Sequence, residues 1–202
     1  MFIEQTPSFL RKLYPQALWR KDADKKTIYL TFDDGPVPKI TPWVLDVLKD
    51  FGIKATFFFV GDNVRKYPEI FKRTLSEGHT VGNHTFNHIP GSRWDYETFI
   101  DNVDAADAYI GSRFFRPPHG HLTFEQYKRL KNRYQIVMWD IITRDYNTSL
   151  HPEKVLDIVK RYTRNGSLIV FHDSLKAEKN MKYAMPRAVE WLLAQGFEFD
   201  RL

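Results

Sequence analysis

The chain has 202 residues, no cysteine, 15% aromatic side chains and a formal net charge of +5. That length suits one domain with a sizeable core, and the absence of cysteine excludes disulfides and thiolate metal sites, so any metal must rest on histidine and carboxylate. The Lys and Arg residues are scattered without a long basic run, which reads as a solvated surface and not as a nucleic-acid-binding face.

Residues 1–25 read as an N-terminal extension packed on a domain that spans 26–202. The opening MFIEQTPSFLRKLYPQALWRKD has no apolar core of signal-peptide length. No later run approaches membrane-spanning length, so the chain as written reads as soluble and cytoplasmic, without an integral membrane segment. Nothing in the pattern speaks to oligomeric state. From Thr27 onward, short apolar runs alternate with amphipathic ones. Strands are predicted at Thr27–Phe32, Ala55–Val60, Thr80–Gly82, Phe114–Phe115, Gln135–Trp139, Leu168–Phe171 and Phe197–Phe199. Helices are predicted at Pro42–Phe51, Tyr67–Glu77, Tyr96–Ile110, Phe124–Lys131, Pro152–Tyr162 and Ala184–Ala194. Pro42 suits a first helical turn, whereas Gly52, Gly78, Gly111 and Gly196 sit where helices should stop. ATFFFV and SLIVF are continuous apolar runs of the kind buried in parallel sheets. Seven β-then-α units predict a parallel α/β sheet, closed or doubly wound, in a single domain.

The residues just after the strands carry the chemistry: Asp33 and Asp34, His84 and His88, Arg116 and His119, Asp140 and Asp145, His172 and Asp173. In parallel β/α architectures the site forms at these carboxyl ends. TFDDGP places two like charges side by side where a strand enters the interior, and their repulsion calls for a metal cation, an arginine, or both. GNHTFNH sets His84 and His88 four residues apart, on one side of a turn. Two neutral imidazoles and one carboxylate suit Zn²⁺ or another divalent first-row ion, which lowers the pKa of bound water to make a nucleophile. One Asp of the pair would then ligate, leaving the other as a base.

TFDDGP, HTFNH, RPPHG, WDIITRDY and VFHD stand in the order of the five motifs of the polysaccharide deacetylases, and Thr31 to Asp173 resembles their NodB-homology, carbohydrate esterase family 4 domain. The resemblance implies a distorted (β/α) barrel of seven or eight strands and a metal-dependent hydrolase that removes N-acetyl groups from an amino-sugar glycan, such as a chitin oligomer or peptidoglycan. It implies Asp33 as general base and Asp34, His84 and His88 as ligands of one divalent ion, Zn²⁺ by ligand type, with Co²⁺ or Ni²⁺ as substitutes. It further implies Arg116 as the holder of the base, the His119 N–H as oxyanion donor, and His172 as general acid with Asp145 as its partner. An O-acetyl esterase or deformylase acting on a sugar conjugate, and an inactive sugar-binding module, are the alternatives. A phosphoryl-transfer reading of DDG would leave His84, His88 and His172 without roles. The chain departs from the usual motifs at His119, Ile142, Tyr146 and Val170.

Plainer readings exist for several of these residues. Asp33–Gly35 also reads as a strand-to-turn signal, and Arg116-Pro-Pro as a rigid loop. His79 and His121 read as structural, His151 as a surface residue and Trp139 as core. Trp94 and Tyr96 are candidates to line a sugar groove by stacking.

Overall fold

The computed structural model describes residues 4–21 and 23–202. Its elements are α1 (Ser8–Arg11), β1 (Thr27–Asp33), α2 (Thr41–Asp50), β2 (Thr56–Phe59), α3 (Gly61–Lys66), α4 (Pro68–Ser76), β3 (Thr80–Asn83), α5 (Tyr96–Ile110), β4 (Phe114–Phe115), α6 (Phe124–Leu130), β5 (Gln135–Ile136), β6 (Ile141–Ile142), α7 (Pro152–Tyr162), β7 (Leu168–His172), α8 (Glu178–Ala194) and β8 (Glu198–Phe199). Every paired strand is parallel, in the order β5-β4-β3-β2-β1-β7-β6, and β8 pairs with the start of β1. The sheet curls into a distorted (β/α) barrel in one domain, the fold class expected.

The two side-chain faces of the central strands explain where polar groups can sit. On β1, Ile28, Leu30 and Phe32 point to the helices and join Phe57, Phe59 and Phe171 in the main core. The rings of Phe32 and Phe57 stack with centroids 5.0 Å apart. The opposite face carries Tyr29 of β1, Phe58 of β2, Phe114 of β4 and Leu168 of β7, which cluster inside the barrel. By the same alternation Asp33 and His172 close the inward faces of β1 and β7, and the register sets them opposite one another. Two strand ends thus meet at one point before any loop is considered.

Strands β5 and β6 end the sheet path, and residues 4–21 lace across that seam. Leu18 pairs with Val137 and Gln5 with Ile141, while Arg20 bridges to Ser167 on the chain leading into β7. The bonds include Leu18 N–H to the Ile136 carbonyl at 2.8 Å and Ile142 N–H to the Glu4 carbonyl at 2.9 Å.

Several predicted bounds differ. The expected strand Gln135–Trp139 is ladder-paired only over Gln135–Ile136, because its partner β4 is two residues long, and Val137 adds a single bridge to Leu18 on the other edge. Strand β6 is only two residues long and was not anticipated. Helix α8 begins at Glu178, ahead of the predicted Ala184, and runs through Pro186. Its polar first turns hid an apolar face of Met181, Ala184, Met185 and Ala188, all fully buried. Among the described residues no helix is long and apolar enough to cross a membrane.

Candidate active site and metal centre

The fully buried Arg116 organises the carboxyl end of the barrel. Its Nη1 donates to Asp33 Oδ1 at 2.7 Å and to Thr31 Oγ1 at 2.8 Å. Nη2 and Nε donate to the carbonyls of Met138 and Val137 at 2.8 and 3.3 Å. The guanidinium also lies over the Phe58 ring, 4.1 Å from its centroid. Burial lowers the Arg116 pKa and Asp33 pulls it back up; the guanidinium is bonded on several sides, as a buried charge requires.

Asp34 follows with φ +85° and turns its side chain away from its neighbour. Its Oδ1 lies 3.2 Å from His88 Nε2 and 3.9 Å from His84 Nε2. Those three donor atoms lie within 4.8 Å of one another. His84 Nδ1 is 2.7 Å from the Arg116 carbonyl; a carbonyl only accepts, so Nδ1 bears the hydrogen and Nε2 presents its lone pair to the centre. Burial lowers the His84 pKa to about 4, against the raising effect of Asp33 and Asp34, which keeps the ring neutral as a ligating imidazole must be. Burial works to raise the Asp34 pKa, but the bond with His88 and the charge of His172 win, leaving it well below the ordinary carboxylate range. Two imidazole nitrogens and one carboxylate oxygen at this separation fit a divalent ion.

At the end of β7, His172 Nδ1 lies 2.7 Å from Asp145 Oδ1, and its backbone N–H donates to Asp145 Oδ2 at 2.8 Å. Burial opposes charge on His172, yet the Asp145 carboxylate, by charge and bond, raises its pKa to about 9, with help from Asp34 and Asp33. His119 stands across from the ligands, its ring 5.0 Å from that of His88. Burial lowers its pKa, and neighbouring His88 adds to the effect. Non-glycine residues with positive φ concentrate here: Asp34, Thr85, His88, His119 and Arg144. Each costs on the order of 1–3 kcal/mol, so the surrounding packing must hold it.

A cavity of about 570 Å³ opens over these groups, with Asp33, Asp34, His84, His88, His119 and His172 in its wall. A second, of about 480 Å³, adjoins it and shares Asp34, His88 and Lys176. All eight candidate residues are therefore accounted for: six line the first cavity, while Arg116 and Asp145 hold two of them from behind. His121, expected to be structural, also lines the cavity, as does Trp139, expected in the core. Trp139 packs its indole where a Cβ on Gly120 would come within 2.6 Å; the apolar run around it masked that half-exposed position. Ile142 and Tyr146 join the same wall. His79 is buried and accepts the Ala55 N–H at 3.1 Å, and the His151 side chain is 81% exposed. Trp94 and Tyr96 line neither cavity.

A sequence model of the polysaccharide deacetylase family matches residues 20–138. The chain belongs to the polysaccharide deacetylase family. It is a hydrolase of that type, acting on carbon–nitrogen bonds other than peptide bonds. A peptidoglycan-N-acetylglucosamine deacetylase of Bacillus cereus is 32% identical over 189 residues, covering 90% of this chain and 88% of that protein. A chitooligosaccharide deacetylase of Bradyrhizobium sp. is 35% identical over 156 residues, 73% of this chain and 71% of its own length. Other relatives are longer, and the chain spans 57% and 38% of two of them. A crystal structure of a peptidoglycan N-acetylglucosamine deacetylase in complex with 4-naphthalen-1-yl-N-oxidanyl-benzamide superposes with a TM-score of 0.90 at 28% identity, covering 98% of this chain and 95% of that one.

Asp140, a strand-end carboxylate, lies outside this cluster. It is buried against Arg11 at 2.6 Å, Arg164 Nε at 2.9 Å and Ser167 at 2.8 Å. Burial pushes its pKa up, but Arg164 and Ser167 carry it below the ordinary value, so its contribution is present above the usual carboxylate range and is lost as pH falls. Asp140→Asn should lower unfolding free energy at pH 7 by about 2 kcal/mol, flatten the acid limb of stability against pH and leave turnover per folded molecule unchanged. Urea denaturation from pH 4 to 7, with parallel rate measurements, checks this.

Proposed function

We propose that the chain removes N-acetyl groups from an amino-sugar glycan. The observation that carries this reading is the pairing of Asp33 on Arg116 beside an Asp34–His84–His88 donor set that leaves Asp33 outside it. Asp34, His84 and His88 would hold one divalent ion; the ligand types suit Zn²⁺, and Co²⁺ or Ni²⁺ fit the same donors. Such an ion supplies Lewis acidity and brings the pKa of a coordinated water toward neutrality.

The protein's own groups perform the remaining tasks. Asp33 accepts a proton from the attacking water, and Arg116 fixes the carboxylate that does so. The His119 N–H would serve as the donor to the charge that develops on the acetamide oxygen. His172 uses Nδ1 to bond Asp145, which leaves Nε2 to donate a proton to the departing amine. At neutral pH it already carries that proton, because its pKa stands at about 9. Acetate and a free amino sugar result. The two adjoining cavities with Asp34 and His88 in their common wall support a substrate that extends on both sides of the reacting group. The Bacillus cereus and Bradyrhizobium relatives, named for peptidoglycan and chitooligosaccharide deacetylation, support the same class.

Acetate release from N-acetylglucosamine oligomers of increasing length, the monosaccharide and O-acetylated xylan tests the assignment. Oligomers should react, with kcat/KM for the monosaccharide at least about tenfold lower; reaction of the O-acetyl esters alone would overturn the amide specificity.

The pH profile follows from His172. Its folded pKa lies above the ordinary value of 6.5, so the charged form and the stability it contributes persist through neutrality and are lost as pH rises through about 9. The basic limb of kcat/KM should fall in that region. Asp145→Asn removes the countercharge and should move that limb down by about one unit or more. Rate profiles from pH 5 to 10 on both proteins check it; an unmoved limb would detach Asp145 from the acid.

A further inference from the structure

Asp173, next to His172, is fully buried and takes no part in the chemistry above. Its Oδ1 accepts the Gly35 N–H at 3.2 Å, and its Oδ2 meets Thr41 Oγ1 at 2.5 Å. Its backbone N–H donates to the Asp33 carbonyl at 3.1 Å. Thr41 Oγ1 in turn accepts the Val37 N–H at 2.8 Å. Every one of these contacts lands on the turn that carries Asp33 and Asp34, or on the first residue of α2. A Cβ built on Gly35 would stand 2.0 Å from Asp173 Oδ2. The glycine of the turn is therefore fitted to this carboxyl group.

We propose that Asp173 is a positioning residue, which locks the Asp33–Pro36 turn onto the end of β7 and so aims Asp34 at His84 and His88. The other side of the turn is held from α3 and the residue before it: Val60 N–H donates to the Gly35 carbonyl at 2.9 Å and Asn63 Nδ2 to the Asp34 carbonyl at 2.8 Å. Among the bonds to this turn, the N–H groups of Gly35 and Val37 depend on Asp173 and Thr41. Asp34 sits at φ +85°, a conformation that persists only when its surroundings over-determine it. Released on the N–H side, the turn can relax toward ordinary φ and swing the Asp34 carboxylate off the imidazoles. Asp33 would keep its bond to Arg116, so the metal donor set is the part that suffers. Burial, reinforced by the Asp34 charge, pushes the Asp173 carboxyl far above its usual range. A neutral group suffices there, and it spares the Asp33–Asp34 pair a third negative charge.

The inference takes the metal donor set from the proposed function, but metal affinity can be read without any substrate. Zn²⁺ titrated into chelator-treated protein, with thermal unfolding to verify the fold, should show at least about tenfold weaker binding for Asp173→Ala. Asp173→Asn, neutral and of equal size, should stay within about threefold of wild type. Asp173→Ala that binds Zn²⁺ as tightly as wild type would overturn the proposal and reduce Asp173 to a stabiliser of the fold. So would Asp173→Asn as impaired as Asp173→Ala, because the negative charge would then be what matters. If Asp173→Ala does not fold, Thr41→Val removes the same stitch from its other end. A severalfold loss of Zn²⁺ affinity is then expected, and unchanged affinity would contradict the proposal. Failure of the deacetylase reading appears separately, as wild-type protein that binds Zn²⁺ but releases no acetate.

Discussion

The Arg116 guanidinium is the constraint on which the rest of the site depends. A buried cation of that size is tolerable only where its donors are matched, and here they reach Asp33, Thr31 and two carbonyls of the segment after β5. The side chain thereby pins a carboxylate on β1, while the Arg116 carbonyl fixes the ring orientation of His84. One residue thus controls both the group outside the donor set and a nitrogen inside it. Truncating it would leave Asp33 buried beside Asp34 with no countercharge, the costly half of a broken pair.

The adjacency of Asp33 and Asp34 is resolved by direction as well as by charge. Asp33 is the last inward residue of a strand, so its side chain enters the barrel. Asp34, with positive φ, leaves the strand geometry and faces the imidazoles. Each carboxylate acquires a different partner: Arg116 for one, His84 and His88 for the other. His172 completes the arrangement because the β1–β7 register sets it opposite Asp33. Its bond to Asp145 leaves one ring nitrogen facing the cavity. Strain at Asp34, His88 and His119 is held by the packed strands beneath, and a rigid barrel is well suited to that load.

Much of this is legible in the residues themselves. Continuous apolar runs mark β2 and β7, and ionisable groups cluster after five of the seven predicted strands. The eight candidate residues occupy positions consistent with the expected groupings. Other features escape pattern reading for identifiable reasons. Strand β6 is too short to show periodicity, α3 begins at a glycine one residue after β2, and the early turns of α8 are polar. Trp139 lies in an apolar run, so its role as a cavity wall depends on the approach of Gly120 from a distant loop. Asp140 and Asp173 look alike as carboxylates after strands, yet one is tied to Arg11 and Arg164 and the other to the Asp33–Thr41 segment. Only tertiary contacts separate them.

In the proposed reaction Asp33 is a base that does not ligate the metal. The decisive measurement is metal content together with acetate release for Asp33→Asn on an N-acetylated oligomer that the wild type hydrolyses. One divalent ion per chain with turnover reduced by about a hundredfold or more is the predicted result. Turnover near the wild-type rate, or loss of the ion with the substitution, would contradict it.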